Sequence, residues 1–348
     1  MKIKAAVLFE INQPLSITDL EIPDLKPGQV FVDVVYSGIC HSQLNEIRGL
    51  KGDDKFLPHT LGHEGSGIVL DVGRGVTKVK PGDHVVLTWI KGDGYDIPST
   101  VYKSSNGPIN SGAISTFMQK TVISENRLVS ISKDMPLKEA ALLGCAIITG
   151  AGIVLNDAKV TSVDSVAVFG VGGIGLSAVI AASLIGVSKL VAIDILDHKL
   201  KLAQHFGATH IINAKDKDPL DEIMNITDGK GVDYAIESAG SNDSMEMAFK
   251  SVSIKGGRCI ISGNLPTGDE ISISPMDLIK GKNISGTWGG DSQPDKDIPK
   301  YVERFLDNRL NLDGLITHMY KLEDINKAFE DLDKGQVGRA LIDMQPIA

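Results

Sequence analysis

Cysteine is scarce in this chain. The three residues in 348, Cys40, Cys145 and Cys259, make no disulfide framework. Long apolar runs are missing too. The most apolar region, Leu176 to Ile193, is broken by Gly186 and Lys189, which speaks against a membrane span. Positive charge is not in excess: 35 Lys and Arg against 44 Asp and Glu give a net charge of −9, which argues against nucleic acid or an anionic membrane as the main partner. Internal repeats and low-complexity tracts are absent, and Met1-Lys-Ile-Lys-Ala-Ala-Val runs straight into a strand-like pattern without a signal peptide. These absences predict a cytoplasmic protein. What remains, 42% hydrophobic and 23% charged residues, is an ordinary globular composition, and 348 residues favour two domains.

The most informative stretch present is Val166-Ala-Val-Phe-Gly170-Val-Gly172-Gly173-Ile174-Gly175-Leu. A β-branched apolar run reads as a buried parallel strand, and the small-residue stretch after the glycines reads as a helix. Gly170, Gly172 and Gly175 form G-x-G-x-x-G between them. The first permits the tight turn, the second lets backbone approach a pyrophosphate, and the third lets helix pack on strand. A second apolar run, Lys189–Ile193, ends on Asp194, nineteen residues beyond the last glycine. A carboxylate there accepts from both ribose hydroxyls and repels a 2′-phosphate, while Ile195 and Leu196 offer no cation, so NAD is favoured over NADP.

Taken in order, residues 1–147 are β-rich and turn-rich. Short apolar stretches (Ala5–Phe9, Val30–Tyr36, Gly67–Val72, His84–Leu87) are separated by turns such as Lys26-Pro-Gly28, which suggests a small barrel or curled sheet. Residues 148–288 alternate strand and helix, with strands near Val166–Phe169, Leu190–Ile193, His210–Ile212, Asp233–Glu237 and Arg258–Ser262 and helices including His198–Phe206 and Asp243–Val252. From 289 the pattern predicts helices over Ile298–Leu310 and Leu322–Lys334 and a strand over Gly338–Met344.

Chemistry-bearing residues fall in three short words: Gly38-Ile-Cys40-His41-Ser42, Gly62-His63-Glu64-Gly65, and Gly144-Cys145 with Thr149-Gly150. Two thiolates and an imidazole suit tetrahedral zinc with one position open, although wide spacing leaves buried cysteines and a satisfied histidine as an alternative. With Leu61-Gly-His-Glu-Gly-Ser-Gly-Ile68, Pro81-Gly-Asp-His-Val85, Gly170-Val-Gly-Gly-Ile-Gly175 and Phe206-Gly-Ala208, the chain resembles the zinc-dependent medium-chain alcohol dehydrogenases over nearly its whole length.

That resemblance implies an α/β fold. A GroES-like β-rich catalytic domain (1–147 and 289–348) is interrupted by a doubly wound (Rossmann) NAD-binding domain (148–288). It implies one catalytic zinc on Cys40, His63 and Cys145, with Glu64 behind the metal as a transient ligand; an exposed turn acid is the other reading of Glu64. Ser42 would take the substrate proton. His41 and Arg339 would contact the coenzyme pyrophosphate, Thr149 the nicotinamide side and Lys199 the adenosine ribose, where solvated cations are the plainer readings of His41, Lys199 and Arg339. Gly173 and Ile174 belong to the coenzyme turn. Trp89 would line the substrate pocket, or serve in a core.

Departures from the family pattern carry expectations of their own. The Ile90-to-Gly112 stretch contains no cysteine where relatives often carry a structural-zinc lobe, so no structural metal is expected there. That lobe often shapes subunit contacts, which leaves a homodimer or a homotetramer as the implied assembly. Gln43 stands where an aspartate commonly orients the zinc-bound histidine, and Asn45 where a histidine often ends the proton relay. The implied activity is NAD-dependent interconversion of a small-molecule alcohol and its aldehyde or ketone. Two alternatives are an NADPH-dependent, zinc-independent enone or quinone reductase and a nucleotide-binding protein without turnover.

Overall fold

The computed structural model describes residues 1–345. They divide into two compact units, Met1–Cys145 with the chain from Gln293, and Ala146–Ser292. In chain order the first unit supplies β1 (Lys2–Leu8), β2 (Ser16–Glu21), β3 (Gln29–Gly38), β4 (His59–Thr60), β5 (Glu64–Val72), β6 (His84–Thr88), β7 (Val101–Ser104), β8 (Gly107–Asn110), β9 (Lys120–Ser124) and β10 (Leu128–Ile131). The second supplies β11 (Ser165–Phe169), β12 (Lys189–Asp194), β13 (His210–Asn213), β14 (Tyr234–Glu237), β15 (Arg258–Ile261) and β16 (Asn283–Gly286). The chain then returns to the first unit with β17 (Ile316–Lys321) and β18 (Arg339–Asp343).

Alternation builds the first unit. In β3, Val30, Val32 and Val34 are buried while Phe31, Asp33 and Val35 are half-buried, as a strand with one core face requires. β1, β2, β7, β8 and β4 close into a barrel whose interior holds Ile3, Val7, Leu20, Tyr102, Ile109 and Met118. A seven-stranded sheet, ordered β10-β6-β5-β3-β18-β17 with β9 also on β3, carries the larger core. The returning segment belongs to that core: Phe329 meets Phe117 edge-on, with centroids 5.8 Å apart.

The second unit is an all-parallel sheet ordered β13-β12-β11-β14-β15-β16, the doubly wound arrangement in which strand order reverses beside the first strand. β11 is buried along its whole length, which explains its unbroken apolar sequence.

Three details correct the sequence reading. The sheet has a sixth strand, β16, which the sequence did not suggest. The helix expected over Ile298–Leu310 runs over Pro294–Leu306, because proline is at home at the first helical position. The helix expected over Leu322–Lys334 opens as a 3₁₀ turn, Leu322–Asp324, before the α-helix Ile325–Asp333. Among the described residues, no single helix is long and apolar enough to cross a membrane.

Candidate active site

Strand ends assemble the metal-ligand set within the first unit. β3 pairs antiparallel with β5 and with β18, aligning Ser37 with Gly65 and Gly38 with Leu341. Cys40, just past the end of β3, is thereby brought beside His63, just before β5, and beside Arg339, the first residue of β18. β6 lies on the other side of β5, with Glu64 opposite Thr88. Gly144, at the end of the 3₁₀ turn Ala141–Gly144, packs so tightly on the Leu87 carbonyl that a Cβ would sit 2.1 Å from it, which delivers Cys145 to the same place. The donor atoms of Cys40, His63 and Cys145 all lie within 4.8 Å of one another.

The electrostatics fit a cation. Hydrogen bonding from Cys145, followed by the effects of His63 and Arg339, holds the Cys40 thiol well below its ordinary pKa against the cost of burial. Hydrogen bonding to Cys40 and burial push Cys145 well above its own. The two sulfurs lie within hydrogen-bonding reach of each other, and a bound zinc ion would supply the positive charge that lets both serve as thiolate ligands. Trp89 is half-buried just past the end of β6, packs against the larger core, and lies beside the Cys145 thiol, where its hydrogen bond opposes part of that upward push.

Glu64 and Arg339 are not solvated groups. Glu64 is fully buried and ion-paired with the buried Arg339, whose Nη1 also donates to the Ile39 carbonyl at 2.9 Å. Gly38 makes room for that carboxylate, since a Cβ there would lie 2.2 Å from Glu64 Oε1. The exposed-acid reading of Glu64 and the exposed-cation reading of Arg339 are thus excluded. Gln43 is buried, and its Oε1 accepts from the Cys40 N–H at 3.1 Å, so it steadies the turn that carries Cys40. Its Nε2 is buried without a hydrogen-bond partner. Ser42 is half-buried and His41 exposed, both in the first turn of the helix His41–Ile47.

In the second unit the glycines behave as their spacing requires. Gly170 has φ +82°, and a Cβ on Gly175 would lie 1.9 Å from the Gly170 carbonyl. A Cβ on Gly172, by contrast, meets nothing within 4 Å, so open space lies over the turn where a pyrophosphate would rest. The helix Gly173–Ile185 begins there with no side-chain cap, leaving its first N–H groups, from Gly173 and Ile174 onward, for phosphate oxygens. Asp194 accepts from the N–H groups of Val171 at 2.9 Å, Ile195 at 2.8 Å and Leu196 at 3.1 Å. It thus holds the glycine turn against the end of β12, and an ionised carboxylate retains lone-pair capacity beyond those three.

Thr149 lies on the buried helix Ala146–Gly152, and its Oγ1 is buried without a hydrogen-bond partner. Gly150 next to it packs on the coenzyme-turn helix, where a Cβ would stand 2.2 Å from the Ile174 carbonyl. Lys199 lies on the helix Asp197–His205 with its aliphatic stem packed down, and no protein group pairs with its ammonium among the described residues. Two residues that the sequence did not single out complete this unit's turn. Ser238 Oγ donates to the Gly170 carbonyl at 2.6 Å, and the buried Glu237 carboxylate accepts from Ala239 N–H at 2.9 Å and Gly240 N–H at 2.7 Å. The signal was available, because β14, like β12, is an apolar strand that ends on an acid.

Comparison with known proteins follows this geometry. Residues 26–133 match the alcohol dehydrogenase GroES-like domain, and residues 173–307 match the zinc-binding dehydrogenase family. The chain belongs to the zinc-dependent medium-chain alcohol dehydrogenase family, with a GroES-like domain and a nucleotide-binding domain of the zinc-dehydrogenase type. An S-(hydroxymethyl)glutathione dehydrogenase of Synechocystis sp. is 35% identical, over 98% of this chain and 100% of its own length. The class-3 alcohol dehydrogenase of Oryza sativa subsp. japonica is 35% identical over 97% of this chain and 96% of its own. The crystal structure of benzyl alcohol dehydrogenase from Acinetobacter calcoaceticus is 32% identical with a TM-score of 0.90, covering 99% of this chain and 100% of that one.

Proposed function

We propose that this chain is an oxidoreductase that interconverts an alcohol and its aldehyde or ketone, using one catalytic zinc and NAD(H). The observation that carries this reading is the meeting of Cys40, His63 and Cys145, drawn from three distant parts of the chain to within 4.8 Å. A zinc-independent reductase has no use for that set. When bound, zinc would supply Lewis acidity toward a substrate oxygen and NAD a hydride acceptor. Cys40, His63 and Cys145 hold the metal, and the buried Glu64–Arg339 pair backs it, with Arg339 favouring the Cys40 thiolate. Ser42 takes the proton from the substrate hydroxyl.

The glycine turn and the first turn of the helix Gly173–Ile185 bind the pyrophosphate, aided by exposed His41 and by the N–H groups of Arg339 beyond those given to Glu64 and Ile39. Asp194 and Lys199 bind the adenosine ribose, and Thr149 turns its unpartnered hydroxyl to the nicotinamide. Trp89 forms a wall of the substrate pocket. We place the catalytic domain at 1–147 and 289–348, the coenzyme domain at 148–288, and the protein in the cytoplasm as a homodimer or homotetramer, a point light scattering decides. The relatives' named substrates, S-(hydroxymethyl)glutathione and benzyl alcohol, both present a terminal CH2OH group, so a panel of compounds bearing that group comes first. Zinc-loaded protein should reduce NAD, read by absorbance, with at least one of them. Reduction only with NADPH and an enone, independent of metal, would overturn the reading.

A further inference from the structure

We infer that Glu46, Asp54 and His59 form a second divalent-cation site, separate from the Cys40 set, with one imidazole nitrogen and two carboxylate oxygens as ligands. Glu46 lies on the helix His41–Ile47, Asp54 on the loop that follows it, and His59 opens β4. Their donor atoms all lie within 4.8 Å of one another. This is no solvated acidic patch: the side chain of His59 is 6% exposed and that of Asp54 11%.

The argument for a cation comes from the ring. His59 Nδ1 lies 3.1 Å from the Thr60 carbonyl, which can only accept, so the ring hydrogen belongs on Nδ1. The Nε2 lone pair then points at Asp54 Oδ2, 2.7 Å away, and Glu46 Oε1, 3.9 Å away. Three acceptors converge with no donor among them, two on largely buried side chains and the third on the half-buried Glu46, an arrangement that repels itself unless a positive charge sits between them. A backbone carbonyl on the far ring nitrogen is also the support that orients a metal-bound imidazole. Lys51 occupies only the other oxygen of Glu46, Oε2 at 2.9 Å, and leaves Oε1 facing the cluster. Mixed nitrogen and oxygen donors select zinc or manganese over calcium or copper(I). A bound ion would tie the loop between Arg48 and Pro58 to the helix that carries Ser42 and to the strand that leads into His63.

Equilibrium dialysis of the full chain against zinc, read by elemental mass spectrometry, should find two ions per chain. His59→Gln and Asp54→Asn should each hold one, with unchanged far-UV circular dichroism. If either variant fails to fold, Glu46→Gln, at the most exposed of the three positions, takes its place. Cobalt distinguishes the two sites, because only an ion on Cys40 and Cys145 gives thiolate-to-cobalt absorption. In His59→Gln one equivalent should be lost while that absorption keeps its full amplitude. Loss of thiolate absorption in the wild type, with an equivalent that disappears in His59→Gln, would count against the Cys40 set and support this site. A single, thiolate-bearing equivalent in the wild type, or two equivalents retained in both variants, overturns it and leaves a proton as the cation at His59.

Discussion

Asp194 shows how much one side chain carries. Its carboxylate holds the glycine turn through the Val171 N–H and is the group proposed to receive the ribose. Asp194→Gly therefore removes charge-assisted hydrogen bonds worth roughly 1.5–3 kcal/mol each. The expected result is a KM for NAD raised about tenfold or more and a shift of preference toward NADP; an unchanged NAD/NADP ratio refutes the ribose assignment. The cysteines divide in the same residue-by-residue way. Cys259 is fully buried in the core of the second unit, and burial pushes its thiol up to about 12, so iodoacetamide at pH 8 should leave it unmodified. Cys40 is partly accessible and should label once metal is chelated and be protected when zinc is restored. Peptide mass mapping reads both, and labelling of Cys259 ahead of Cys40 contradicts the account. The sequence showed which residues carry chemistry, but not that Arg339 is sealed against Glu64. Burial of a lone cation in a C-terminal strand depends on which strand it pairs with, and β18 pairs with β3, some three hundred positions away in the sequence.

Elements were legible where one periodicity dominates. β11 and β12 were, because burial on both faces makes their sequences continuously apolar. β16, Asn-Ile-Ser-Gly, was not: it is the edge strand of its sheet and largely exposed, so no alternation marks it. The β7–β8 hairpin also went unseen, since its strands are four residues each and its register is fixed by pairing with β2 and β4. Glu125 accepts from the N–H groups of Thr77, Lys78 and Tyr95, so one carboxylate ties the loop before β6 to the loop before β7. Two predictions belong at this scale. Gly175→Val drives a side chain into the Gly170 carbonyl and should abolish NAD binding by calorimetry while leaving zinc bound; normal NAD affinity would show that the turn is not the coenzyme cradle. Phe329→Ala removes the returning segment's anchor on Phe117 and should destabilise the chain by about 3–5 kcal/mol, read as a lowered denaturant midpoint.

Across the whole molecule, the chain leaves the first unit after Cys145, builds a parallel sheet, and returns with β17 and β18 to finish the sheet it left. The return has a chemical purpose, because β18 brings Arg339 to Glu64 and Cys40. Fold class was legible from the change in pattern, since β-rich, turn-punctuated sequence and alternating strand and helix bury their apolar faces in different ways. Substrate identity was not, because pocket walls come from side chains scattered over many loops. The central claim is that zinc on Cys40, His63 and Cys145 is what turns over an alcohol. It is tested most directly by measuring zinc content and alcohol-dependent NAD reduction on the same preparations of wild type and Cys145→Ser. The account predicts that the variant loses one zinc per chain relative to wild type and loses turnover with it. Turnover that survives the loss of that zinc would contradict it.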